Sequence, residues 1–382
     1  MLQELERYLL NDSRKELMKK ILEVKKPIIA CDVDDADLMA VLMTHQDSEN
    51  YKKWFIRNYI DLWCYDDNGT KIMGFDKPRI NRLHCFRKES TKHDYFDRPF
   101  PDNTLFDCEL IYRLEMDRDT LEKKYDTIVD MVKYYIDLDF YLFFELDCFY
   151  IPVALFNQKI HYNDKTLIYG YDDEKQVVQV ADFYGPFDRN ISYKFREISY
   201  IDFVHAYSSY ECSKNLQYER LLLFKYYEKD IPINKGEIKY ALKRYLTGFD
   251  DRYNHIYFGS KCYDAILEEL NKKYLDFKLF NYISSHAKAM NLRVKYLKEL
   301  HILDDTFSGE EEFADFEKYA QRVRNMVYKF VVSQDRNVKE KVEETFQILK
   351  EKDLHCTQLL IEAIKGEENV YRWAVGLKHQ DA

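Results

Sequence analysis

The residue types in this chain that could do chemistry are thiol, imidazole and carboxylate, and they fall at four positions. Cys31 stands between an extended KPIIA segment, residues 26–30, and the acidic run DVDDADLMAVLMT. His161 lies in the polar segment NQKIHYND, which also holds Asp164, and Asp182 lies near the end of VVQVADF. A thiol at a helix start gains thiolate character from the helix dipole, and a nearby imidazole can take its proton. Asp32, Asp34 and Asp35 suit a helix N-terminus, yet as like charges they push a neighbouring thiol pKa upward. Each residue also has an ordinary use. A cysteine packs well as a small apolar side chain, a histidine in a polar segment is an exposed loop residue, and an aspartate can hydrogen-bond into the Phe183-Tyr184-Gly185 turn.

Other constellations carry less. The pairs His84-Cys85 and His93-Asp94 have no partner at i+4 or in a second cluster, and the eight cysteines show no CxxC, so no metal site is expected. Tyr169-Gly170-Tyr171 lacks a phosphate-loop pattern, and no cofactor is expected. His286, Lys288, Arg293 and Lys295 read as a solvated helix face or a contact between domains, with an acidic carrier protein as a possible partner.

The elements that must position these residues come from periodicity. Residues 1–25 read as a helix, and Asp34 to Thr44 as another opening just after Cys31. Turn signals fall at Asn68-Gly69 and Lys77-Pro78. Leu121 to Ile136 is helical, and Asp139 to Leu146 fits a buried strand. KTLIYGYDDEKQVVQVADF, residues 165–183, is the clearest hairpin, two apolar runs around a polar turn at 172–175. It can return Asp182 toward His161. From about residue 215 the pattern becomes helical: 216–228, 235–246, 261–274, 283–300, 311–332, 338–350 and 354–365. That shift divides the chain into a mixed domain, 1–215, and a helical domain, 216–382.

The length of 382 residues suits two cores, and 46% apolar residues can fill both. Thirty-three tyrosines imply partly wet clefts, because the ring buries while the hydroxyl stays bonded or hydrated. A net charge of -10 repels phosphate backbones and anionic lipids, so nucleic acid is not an expected partner. The N-terminus has no uninterrupted apolar run of the signal-peptide kind, and no stretch is long and apolar enough for a membrane span, so a cytoplasmic protein with reduced thiols is expected.

The run LDCFYIPVALFNQKIHYNDKTLIYGYDDEKQVVQVADFYG, residues 146–185, resembles the core strands of the butirosin-biosynthesis-protein-H-like group, relatives of the bacteriocin-processing cysteine peptidases. Cys31 before an acidic helix start, HIYFGSKCYDAILEEL and FNYISSHAKAMNLRVKYLKEL also resemble that group, in members associated with nonribosomal peptide clusters. The resemblance implies an α+β fold: a papain-like cysteine-peptidase domain with an antiparallel sheet, followed by a mostly α-helical domain. It implies acyl transfer through a thioester, with Cys31 as nucleophile, His161 as general base and Asp182 orienting the imidazole. The base of the relatives falls six residues before the Gly of LIYG. Here that position is Asp164, a possible substitute at the base site. Backbone N–H groups near Cys31 would serve as oxyanion donors.

On this resemblance the expected activity is amide formation in secondary metabolism. An acyl group would pass from the phosphopantetheine arm of an acyl or peptidyl carrier protein, through Cys31, to a small amine acceptor, as in the closthioamide-type amide-forming enzymes. The alternatives are an inactive relative serving as a carrier- or metabolite-binding scaffold, and a cysteine protease.

Overall fold

The computed structural model describes residues 18–67, 70–76, 108–185, 192–209, 220–251, 256–270, 272 and 275–366. His84, Cys85, His93, Asp94 and the turns at Asn68-Gly69 and Lys77-Pro78 lie outside the described residues. In chain order the elements begin with β1 (Lys19–Ile21), α1 (Val33–Leu42), α2 (Glu49–Arg57), β2 (Asp61–Asp67), β3 (Thr70–Asp76), β4 (Ile111–Asp117), α3 (Ile128–Asp137) and β5 (Tyr141–Asp147). Next come β6 (Asn163–Asp172), β7 (Val177–Tyr184), β8 (Ser192–Ser199), α4 (Tyr200–Ser208), β9 (Arg220–Tyr226), α5 (Lys235–Thr247), β10 (Phe249–Asp251) and β11 (Ile256–Phe258). The last are α6 (Cys262–Leu270), α7 (Phe277–Glu299), α8 (Glu310–Ser333) and α9 (Arg336–Ala363). The organisation is α+β with antiparallel sheets.

The chain divides into two compact units, each made of two segments: residues 1–46 with 103–229, and residues 47–102 with 230–382. The sequence reading placed one cut near 215. By contacts, 216–229 go with the first unit and 47–102 with the second.

The first unit holds a seven-stranded sheet in the order β4-β9-β5-β6-β7-β8, with β1 paired to the far end of β6. Odd and even residues of β5 separate: Leu142, Phe144 and Leu146 join a core with Val132, Ile136 and Phe203, from α3 and α4. Thr127 caps α3, its hydroxyl accepting from the Asp130 N–H at 3.1 Å. The β6–β7 hairpin pairs Leu167 with Ala181 and Asp172 with Val177. At Gly170 a Cβ would stand 2.8 Å from the Lys20 carbonyl oxygen, so the approach of β1 requires glycine.

Helical expectations fail in three places here, and the first is 121–136, where residues 123–127 interrupt the helix and α3 starts only at Ile128. Residues 220–226, RLLLFKY, form β9 between β4 and β5. An apolar run buried on both faces carries no alternation, so its period fits helix and strand equally. Residues 19–21 of the expected N-terminal helix are instead a strand, paired with 170–172.

The second unit pairs β10-β11-β2-β3 into a four-stranded sheet, with α2 and α5 to α9 around it. The separate helices expected over 338–350 and 354–365 are one helix, α9, capped by Asp335. His286 and Arg293, read from sequence as part of a solvated face, are both completely buried. Arg293 donates from Nε to the Ile56 carbonyl at 3.2 Å and from Nη2 to the Asn58 carbonyl, at the end of α2. His286 Nε2 lies 3.3 Å from Asp353 Oδ1, and Asp353 also accepts from the Tyr245 hydroxyl. Polar partners supplied by distant segments make these burials tolerable. No helix among the described residues is long and apolar enough to cross a membrane.

Candidate functional site

The residues singled out from sequence gather at one end of the first unit's sheet, where β5 and β7 finish and β6 begins. Antiparallel pairing requires this. Asp147, the last residue of β5, is in register with Asn163, and Leu146 with Asp164. Asp182 lies within β7, one residue past Ala181, the last of its residues paired with β6.

The segment leading into helix α1 supplies the thiol. Cys31 is buried and stands one residue ahead of the cap, Asp32, whose carboxylate accepts from the Asp34 N–H at 3.1 Å. One of the free N–H groups of the first turn is therefore taken by a side chain carrying the charge the helix end prefers. Asp34 Oδ1 and Oδ2 accept from Lys165 Nζ of β6 at 3.1 and 3.0 Å. Asp37, completely buried, accepts at Oδ1 from the Tyr193 hydroxyl of β8. Nearly every side chain of α1 from Asp34 to Leu42 is buried, which fixes these carboxylates against the strands.

Asp182 is also buried, and one of its oxygens accepts from the Phe183 N–H. Its proton is held well above the ordinary carboxyl range, first by burial and then by the charge of Asp164, with Asp32 contributing. Burial raises Asp37 likewise, and Asp182, Asp34 and Asp164 add to it against the Tyr193 hydrogen bond. Glu145 is pushed up to about 8 by burial, only partly offset by Lys165. Lys165 is its cross-strand neighbour, but its ammonium is bonded to Asp34. Asp37, Asp182 and Glu145 are thus short of cations and hold their protons more tightly than ordinary carboxyls do.

His161 stands apart from that group. Its Nδ1 is 2.7 Å from Asp147 Oδ2, and its ring stacks on Phe149 with centroids 4.2 Å apart. Asp147 is completely buried, and its other oxygen accepts from the Phe149 N–H at 3.0 Å. Among the described residues the carboxylate partner of His161 is Asp147, not Asp182, and no hydrogen bond joins the imidazole to Cys31. Asp147 is the residue that sequence reasoning passed over. It was visible in the LDCFYIP strand end, and its partner follows from the β5–β6 register. Among the described residues no group of three or more His, Cys, Asp or Glu side chains is arranged to hold a metal ion.

A scan against known protein families found no matching family, and a search of curated proteins found no matching relative.

Proposed function

We propose that the first unit is a papain-like relative of the amide-forming acyltransferases in which the Cys31 site binds rather than reacts, serving as a carrier- or metabolite-binding scaffold. One observation carries the reading. The residue in the base position of the relatives, Asp164, is half-buried beside the buried Asp34, Asp37 and Asp182, and its charge helps raise the Asp37 and Asp182 pKa values near the start of α1. Such a group opposes a thiolate at the same helix end. The imidazole that would take the thiol proton is bonded to Asp147.

The test is the rate of Cys31 alkylation by iodoacetamide against pH, read by peptide mass spectrometry. The scaffold reading expects no reactive component below the ordinary thiol value of about 8.5. Asp164→His is expected to create one, by replacing a carboxylate with a base. Incubation with acyl-carrier thioesters should leave the Cys31 mass unchanged. A mass increment on Cys31 that His161→Ala abolishes would overturn this reading in favour of the second one, amide formation with Cys31 as nucleophile and His161 as base. That second reading draws on the oriented imidazole lying at the same end of the sheet as Asp164 and Asp182.

A further inference from the structure

The Asp147–His161 pair has the parts of an acid–base site that needs no thiol. Asp147 is completely buried and holds His161 Nδ1 at 2.7 Å, which fixes the ring's orientation and makes Nδ1 the protonated nitrogen. The opposite nitrogen, Nε2, has no hydrogen-bond partner among the described residues. The side chain is 45% exposed, so part of the ring is reachable from solvent. Phe149 lies flat against the ring at an interplanar angle of 16°, and Tyr150 is tilted toward it with centroids 5.9 Å apart. Tyr150 also contacts His205 edge to face at 5.6 Å. The imidazole is therefore presented beside aromatic carbon.

A purely architectural role would have Asp147 cap the turn at 148–150 and tie down the loop that ends at His161. The Phe149 N–H bond to Asp147 Oδ1 performs the capping alone. The loop is already tied by Asn157 and the Gln158 N–H, both donating to the Phe149 carbonyl, and by the Cys148 N–H donating to the Tyr162 carbonyl, so the second oxygen on a half-exposed imidazole is more than the architecture needs.

We infer that Asp147 and His161 form a general-base site, independent of Cys31, that hydrolyses neutral aryl esters. His161 Nε2 takes a proton from water as the water oxygen adds to the ester carbonyl. The C–O bond to the phenol then breaks, and the phenolate receives that proton from Nε2. The products are the carboxylic acid and the phenol, and the imidazole returns to its starting state. Asp147 is a positioning residue: it holds the ring and stabilises the imidazolium that forms between the two transfers. The aromatic ring of the ester suits the Phe149–Tyr150 surface. A neutral substrate avoids repulsion by the acidic residues at this end of the sheet.

The test uses the full chain and phenyl acetate, comparing wild type with His161→Gln, Asp147→Asn and Cys31→Ser. General-base catalysis contributes on the order of 100- to 10,000-fold. The expected wild-type rate exceeds that of the His161→Gln variant by about 100-fold or more on that scale, and exceeds that of free imidazole at the same concentration. His161→Gln should fall to the uncatalysed rate. Asp147→Asn should lower kcat at least about tenfold with KM unchanged, because the substrate does not touch Asp147. Cys31→Ser should have no effect, which separates this site from any chemistry at the thiol. Should Asp147→Asn fail to fold, the half-exposed His161→Gln variant decides alone. A wild-type rate no greater than that of free imidazole, an unchanged rate in His161→Gln, or loss of activity in Cys31→Ser would overturn the inference.

Discussion

Replacing Glu145 by glutamine should stabilise the first unit, and the gain should depend on pH in a defined direction. Glu145 faces Lys165 across the β5–β6 ladder, but the Lys165 ammonium is spent on Asp34, and Glu145 Oε2 is buried with no hydrogen-bond partner. Burial holds the carboxyl up to about 8, against an ordinary value of 4.5. The folded chain therefore binds this proton more tightly than the unfolded chain does. Below about pH 4.5 both states are protonated and the group costs nothing. As pH rises toward 8 the unfolded state has released its proton while the folded state keeps it, and stability falls by roughly 1.4 kcal/mol per pH unit. The loss reaches roughly 3 kcal/mol at neutral pH and roughly 5 kcal/mol above pH 8, where it levels off. Glutamine is close in shape to the protonated acid and does not titrate. Glu145→Gln should match wild type near pH 4.5 and exceed it by a growing margin up to pH 8. Hydrogen exchange of the β5 and β6 amides, compared between the two proteins at each pH, reports the unit that contains the substitution and cancels intrinsic exchange. A difference that is constant with pH, or a variant that loses ground as pH rises, would refute the reasoning.

In the second unit, Arg293→Met should cost about 2–4 kcal/mol, because it leaves the Ile56 and Asn58 carbonyls without their donor in the interior. Urea unfolding followed by tryptophan fluorescence would read this, since Trp54 lies in α2 beside the lost contacts. Asp353→Ala should cost about 3–5 kcal/mol, as it strips the acceptor from Tyr245 and His286 in a site closed to water. Asp353→Asn should recover part of that loss by keeping one acceptor oxygen for Tyr245, and the same unfolding curves would show it.

The β6–β7 hairpin was legible because KTLIYGYDDEKQVVQVADF places two β-rich runs on either side of a polar turn, and the strands follow that pattern. The helix after Cys31 was legible for a similar reason, in an acidic start followed by an apolar run. β9 was not, since Leu221 to Phe224 are buried together and a continuous apolar run gives no phase. The discontinuous second unit was also hidden. β2 meets β11 through Trp63 and Phe258, a pairing set by contacts nearly two hundred residues apart in the chain. His286 and Arg293 have the types of a solvated helix face, and only their distant partners, Asp353 and the end of α2, reverse that reading.

The candidate site divides along the same line. Asp164 could be read directly as an acid six residues before Gly170, but its effect could not, because that depends on how α1 crosses the strands. With Asp34 tied to Lys165 of β6 and Asp37 to Tyr193 of β8, the helix brings its own carboxylates to Asp164 and Asp182. Beside Asp34, whose charge is bonded to Lys165, Asp164 adds to what keeps the buried Asp37 and Asp182 carboxyls protonated. The same register that gathers those acids places Asp147 beside the start of β6, and so gives His161 a carboxylate outside the acidic group. The imidazole thereby keeps an oriented ring, part of it reachable from solvent, that the thiol site does not use.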